Sequence, residues 1–164
     1  MRIIFERMVD RRPVETRVER DDGVVFSMRG AGGGSALPHD LVHALVEQSL
    51  GVPDGIWGCI ADGVVWHSMR RVSGRRPPHA DERSERLKRE RAAAIREAEG
   101  LADLVGRLAR REPVLPRETR IRRYSSDAVA TAARELADAG RRWSDLAPGT
   151  TWVVEWTHHP GRRH

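Results

Sequence analysis

The stretch that decides the fold is residues 14–28, VETRVERDDGVVFSM. Apolar and polar residues alternate before and after Asp21-Asp22-Gly23, and an Asp-Gly pair tolerates the positive φ angles of a tight hairpin turn. The same alternation runs through residues 2–8, RIIFERM. The pattern therefore predicts a three-stranded antiparallel meander that ends at residues 30–34, GAGGG, which we expect to be a flexible joint.

Helical patterns dominate the chain after the meander. Residues 38–50, PHDLVHALVEQSL, predict a short helix with proline at its first position and Gly51 at its end. Residues 80–110 predict a second helix, residues from Ser125 to Gly140 a third, and residues 150–156, TTWVVEW, a strand that could complete the sheet. The predicted class is α+β, with an antiparallel sheet of three to four strands, a short histidine-bearing helix and two longer C-terminal helices.

The same patterns divide the chain into three parts. Residues 1–67 form the meander and histidine-helix module, and residues 68–80, rich in arginine and proline, read as an exposed linker. Residues 81–164 form a helical region with a terminal strand, packed on the first module as one domain. A helix of roughly 30 residues over 81–110 would be about 45 Å long. Because that exceeds the width of a small domain, its charged first half either projects into solvent or pairs with another chain as a homo-oligomer.

The basic charge of the chain does not by itself indicate nucleic acid as a partner. The net charge is +5, but Lys88 is the only lysine among 29 basic residues and asparagine is absent, a composition typical of a GC-rich genome. The best basic cluster beside an aromatic residue is Arg120, Arg122 and Arg123 with Tyr124, which could hold a phosphate backbone or a partner. A solvated loop is the competing interpretation of the same residues.

The composition predicts a cytoplasmic protein without a membrane partner. No apolar run approaches the ~20 residues that a membrane span needs. The N-terminal residues 1–7 carry charge where a signal peptide would be apolar. The single cysteine, Cys59, excludes an internal disulfide and is expected to be an inert buried thiol.

The histidine helix carries the strongest candidate site. With about 100° between successive residues, His39, His43, Glu47 and Asp40 share one stripe of the helix. The stripe could be no more than the solvated face of an amphipathic helix. Two histidines one turn apart are, however, a known metal-ligand spacing. His39-Asp40-x-x-His43 also looks like the zinc-peptidase motif His-Glu-x-x-His, with a shorter aspartate in place of the glutamate.

Helix geometry limits the metal hypothesis. His39 and Glu47 lie about 12 Å apart along the axis, so they cannot share one ion on a straight helix. A further ligand must therefore come from another element, and we expect it from residues 55–67, with His67 as the candidate. The predicted ligands of a divalent zinc, iron or manganese ion are thus His39, His43 and His67. Glu47 would then orient His43 or act as a base.

A second hypothesis needs no metal, because Asp40 or Glu47 could hold one nitrogen of His43 and tune it for proton transfer. The predicted catalytic residues are therefore His43, Asp40 and Glu47. Both hypotheses favour a metal-binding or His/acid-dependent enzyme of hydrolytic type. The competing class is a non-enzymatic interaction protein, which would self-associate or bind a partner or nucleic acid through its arginine-rich helical region.

Several of these residues also carry a resemblance. The sequence LPHDLVH at 37–43, Val46-Glu47, Leu50-Gly51 and GIWG at 55–58 are similar to a group of small uncharacterised bacterial proteins. That group shares a strand-rich start, a histidine helix and a Gly-aromatic-Gly turn. The resemblance covers residues 1–65 and implies a shared module in which the helix and the Trp57 turn work together. It implies no particular reaction.

Overall fold

The computed structural model describes residues 1–9, 12–115 and 123–157. Over these ranges, strands and helices follow one another in the order β1 (Arg2–Glu6), β2 (Pro13–Glu19), β3 (Val25–Gly33), α1 (His39–Leu50), α2 (Ile56–Ala61), β4 (Met69–Ser73), α3 (Ala80–Glu90), α4 (Ala92–Ala109), α5 (Ser126–Asp145) and β5 (Thr151–Glu155). The strands form one antiparallel sheet in the order β4-β3-β2-β1-β5. The predicted α+β class is confirmed.

The meander and the terminal strand lie where the sequence predicts them. β1 lies between β2, which pairs with one of its edges, and β5, which pairs with the other and places Val154 opposite Ile3. Ile3 and Phe5 are fully buried, whereas Arg2 and Glu6 are exposed. The alternation that predicted a strand therefore corresponds to one face of the sheet packing against the helices.

The sheet has one strand more than expected, and β3 is longer than expected. β4 lies within residues 68–80, the predicted linker, and pairs with β3 at the edge of the sheet. Only Met69 of β4 is buried, so an edge strand with four exposed residues gives no alternating pattern. The glycine-rich residues expected to form a joint are also paired, since Pro13 lies opposite Gly33. A ladder of backbone hydrogen bonds does not need side chains.

The prediction of a single helix over residues 80–110 is wrong. The helix is interrupted at Arg91, whose φ of -102° and ψ of 10° separate α3 from α4. The Arg91 guanidinium forms ion pairs with Asp54 and Asp62, which flank α2. The long helix whose length suggested pairing with another chain is therefore two shorter helices, which meet at Arg91. Self-association through residues 81–110 stays a prediction.

The helix α1 is covered on two flanks. Its residues Leu41 and Ala44 belong to an apolar cluster formed with the sheet, Trp57 and Trp143. Its residues Val46 and Leu50 belong to a second cluster, formed with α4 and α5. The histidine helix is therefore held between the sheet and the two long helices. Among the described residues, no helix has the length and apolar character needed to cross a membrane.

Candidate metal centre

Three potential metal ligands from two helices converge at one point. α1 supplies His39 and His43, one turn apart, and α4 supplies Glu99. One ligand atom from each of these side chains lies within 4.8 Å of the others. His43 is buried, whereas His39 and Glu99 are exposed. The group therefore lies at the surface of the α1–α4 contact, with its inner ligand fixed by packing.

The distances within this group suit one small ion. His43 Nε2 lies 3.2 Å from Glu99 Oε2, in a geometry that does not make a hydrogen bond. Two ligand atoms on one tetrahedral zinc lie about 3.3 Å apart, given bonds of about 2.0–2.1 Å. The rings of His39 and His43 meet edge to face, with 4.7 Å between their centroids. The three ligand atoms together lie within 4.8 Å of one another, so they would have to move closer to share one ion.

His43 is the least accessible of the three ligands and the one with unsatisfied nitrogens. Its side chain is 3% exposed, and neither ring nitrogen has a hydrogen-bond partner. Nδ1 lies 3.6 Å from Glu47 Oε1, which is too long for a hydrogen bond. Burial lowers the pKa of His43, but the carboxylates of Glu47, Glu99 and Asp40 outweigh burial and raise it above its ordinary value. The carboxylates around this ring thus favour its protonated, imidazolium form.

Glu47 has a structural role that the sequence did not predict. Its carboxylate is 1% exposed and accepts hydrogen bonds from the backbone N–H groups of Ile56 (2.8 Å) and Trp57 (3.0 Å). These amides belong to the first turn of α2, where a helix has unpaired N–H groups. A Cβ on Gly55 would overlap the carboxyl group of Glu47, so a larger residue at this position would displace the carboxylate from the α2 amides. Glu47 therefore caps α2, and its Oε1 atom, which accepts from Ile56, is also the oxygen nearest to His43 Nδ1.

The Trp57 turn and the histidine helix are in direct contact. Trp57 is fully buried, and its indole N–H donates a hydrogen bond of 3.0 Å to the backbone oxygen of Asp40. Together with the Glu47 cap, this bond fixes α2 against two points of α1 that lie about two turns apart. The segment expected to supply a third ligand thus positions α1 instead.

The Asp40 carboxyl is held in a confined place beside the histidines. Its Oδ2 atom is buried without a hydrogen-bond partner, and a Cβ on Gly30 of β3 would lie 2.9 Å from it. Burial raises the pKa of Asp40, His39 and His43 lower it, and Glu99 raises it; the net change is upward. A carboxyl group of this kind takes up a proton more readily than one in water.

The structure separates several residues that the sequence grouped together. His67 is exposed and lies outside the described group of possible ligand atoms, in which Glu99 is the third member. Glu99 could not be recognised in the sequence because it is one of several glutamates on a charged helix. Of the predicted basic cluster, Arg123 is exposed, whereas Arg120 and Arg122 lie outside the described residues.

The buried thiol of Cys59 gives a prediction that can be checked directly. Burial raises the pKa of Cys59 to about 11, in spite of the nearby Arg91 guanidinium. At pH 8 the native thiol should therefore be protonated as well as shielded, and a chromogenic disulfide reagent should not react with it within minutes. In guanidinium chloride we expect one thiol per chain to react at once. Rapid labelling of the native protein would contradict the buried position, and Cys59→Ala provides the blank.

Fold and site together define an α+β protein with a two-histidine, one-carboxylate group shared by two helices. In comparisons with known proteins, no family model, no curated protein and no solved structure matches the chain. The case for a function therefore depends on the residues of the site.

Proposed function

We propose that this protein binds a divalent transition metal, zinc foremost, through His39, His43 and Glu99, and uses it for hydrolysis. The observation that supports this most is the buried His43 ring, whose Nε2 lies 3.2 Å from a carboxylate oxygen without a hydrogen bond. A buried polar group without a partner costs free energy, so such groups are rare unless a ligand uses them. A metal ion would satisfy Nε2 and the Glu99 carboxylate together.

The ligand types favour a hydrolytic site over a purely structural one. Structural zinc sites are usually closed by four protein ligands, often cysteines, whereas hydrolytic sites often use two histidines and a glutamate and leave the fourth position open. Cys59, the one cysteine of the chain, forms its hydrogen bond with the Asp54 backbone oxygen and is outside this group. A divalent ion held by His39, His43 and Glu99 would supply the positive charge that lowers the pKa of a water molecule.

Two neighbouring carboxyl groups would support this chemistry. Metal-bound histidines commonly direct their second N–H at a carboxylate, and Glu47 lies on the Nδ1 side of His43. That arrangement favours a proton on Nδ1, and a metal ion would take the place of the proton on Nε2. Asp40 stands where the zinc-peptidase motif has its basic glutamate, and its raised pKa suits proton transfer nearer neutrality.

Zinc titration of three proteins tests the metal-binding part of the proposal. After treatment with chelator, unaltered protein, His39→Ala and His67→Ala are titrated with zinc against a chromophoric competitor. His39 and His67 are both exposed, so each substitution removes a surface imidazole without opening a hole in the core. We expect one zinc per chain, an affinity at least about a hundredfold weaker in His39→Ala, and no change in His67→Ala. Equal binding by all three proteins, or none by any, would overturn the metal site.

The hydrolytic part needs its own experiment. Activity on chromogenic carboxylic and phosphate esters should disappear with chelator, return with zinc and be absent from His39→Ala. Activity that persists in chelator and in His39→Ala would contradict a metal-dependent reaction. The same measurements with manganese and ferrous iron would identify which ion supports the reaction best.

A further inference from the structure

A second cluster of charged side chains surrounds a small cavity beside the start of α3. The cavity has a volume of about 210 Å³, and Arg20, Arg76 and Arg83 are among the residues that line it. These arginines come from three different parts of the chain: the end of β2, the segment after β4, and α3. The fold therefore brings three guanidinium groups to one cavity.

Arg20 is the most enclosed of these arginines. Its side chain is only 9% exposed, and its Nε atom is buried without a hydrogen-bond partner. A Cβ built on Gly63, at the cavity wall, would lie 3.7 Å from Arg20 Nη2 and 3.7 Å from Arg83 Nε. The two guanidinium groups thus face the same small space, and the φ of +114° at Gly63 favours the residue that leaves this space open.

The carboxylates near the cavity pair with two of its three arginines and leave Arg83 as the lining arginine without an ion pair among the described residues. Asp22 and Asp62 also line it, but Asp22 pairs with Arg20, and Asp62 pairs with Arg91 outside the lining. Asp81 lies 2.7 Å from Arg76. Arg83 is exposed and forms no ion pair with any residue that the structure describes.

The start of α3 adds to the positive potential. Ala80, its first residue, lines the cavity, and no side chain caps this end of the helix. Uncapped N–H groups and the helix dipole attract anions, although Asp81 and Glu82 in the first turn oppose part of this effect.

We propose that this cavity binds a phosphate group, with Arg83 and Arg20 as its principal donors. Guanidinium groups match the geometry and charge of phosphate oxygens. Arg83 Nε and Arg20 Nη2 both border the space beside Gly63, and Arg83 forms no ion pair with a described residue. The volume is below the ~300–1,000 Å³ of pockets for larger ligands, so a single phosphate or a small phosphate ester fits best. The site is independent of the metal centre.

Titration with inorganic phosphate, followed by ³¹P NMR at constant ionic strength in chelator, tests the site. Arg83→Gln is the variant of choice because this side chain is exposed and unpaired among the described residues, so the fold should survive. Arg89→Gln is the matched control, since Arg89 is an exposed arginine of the same helix that does not line the cavity. We expect saturable binding by the unaltered protein, a dissociation constant at least about tenfold higher in Arg83→Gln, and no change in Arg89→Gln.

Two results would overturn the proposal: no saturable binding by the unaltered protein, or equal weakening in Arg83→Gln and Arg89→Gln, which would indicate diffuse attraction by surface charge. Glycerol phosphate, titrated in the same way, separates the two sources of a phosphate group. Tighter binding than inorganic phosphate supports a phosphate ester as the ligand, and equal binding supports the free anion.

Discussion

The Glu99→Gln protein is expected to bind zinc at least about a hundredfold more weakly than the unaltered protein while keeping its thermal stability. Glu99 supplies the only carboxylate among the three described ligand atoms, and its Oε2 lies 3.2 Å from His43 Nε2. Glutamine keeps the shape of the side chain but loses its charge, which divalent zinc needs from an oxygen ligand. The side chain is 51% exposed, so the substitution should not disturb the core.

The measurement is the same competitive zinc titration, accompanied by thermal unfolding in chelator. Glu97→Gln is the matched control, because Glu97 is an exposed glutamate two residues earlier on the same helix and outside the ligand group. We expect its zinc affinity to equal that of the unaltered protein. If Glu99→Gln binds zinc normally while His67→Ala does not, the ligand predicted from sequence is right and the one assigned from the structure is wrong.

The second large effect is expected for Glu47→Ala, which should lower the free energy of unfolding by about 3 kcal/mol or more. Alanine would leave the N–H groups of Ile56 and Trp57 without an acceptor, and it would open a cavity where a buried carboxylate now lies. Each unsatisfied buried donor costs about 1–3 kcal/mol. The loss should therefore be large although Glu47 is a charged residue.

Equilibrium unfolding in guanidinium chloride measures this effect through the transition midpoint. Gln48→Ala serves as the control, because the neighbouring Gln48 is exposed and makes one hydrogen bond, to the backbone oxygen of Glu155. Its cost should not exceed about 1 kcal/mol. A midpoint for Glu47→Ala equal to that of Gln48→Ala would show that the carboxylate does not cap α2 in solution.

Local patterns were sufficient to predict most of the fold. Alternation along residues 14–28 predicted two strands that the structure contains, because each of them buries one face. The strand predicted over residues 150–156 is also present. β4 escaped prediction because only Met69 of it is buried. The break at Arg91 escaped because the acids that pair with it, Asp54 and Asp62, are about 30 residues away in sequence. No local pattern contains such a partner.

The candidate site was likewise predicted only in part. The sequence placed His39 and His43 on one helical face, because their spacing alone determines it. Geometry also indicated that a further ligand must come from another element. Its identity could not be predicted, because Glu99 approaches only through the packing of α4 against α1. The capping role of Glu47 could not be predicted for a similar reason. Its partners are backbone amides, and the sequence does not show which amides lie near a given side chain.

α1 packs against the sheet on one flank and against α4 and α5 on the other, so no single part of the chain buries all of its apolar side chains. Residues 1–65 contain β1, β2 and β3 on the sheet side of α1, but not α4, α5 or the strands β4 and β5. A protein that shares only that region would leave Val46 and Leu50 facing water, and it would have to supply another covering element. Since Glu99 belongs to α4, a protein that shares only residues 1–65 could contain His39 and His43 without Glu99. Each inheriting protein would then complete the ligand set with whichever residue its own covering element provides.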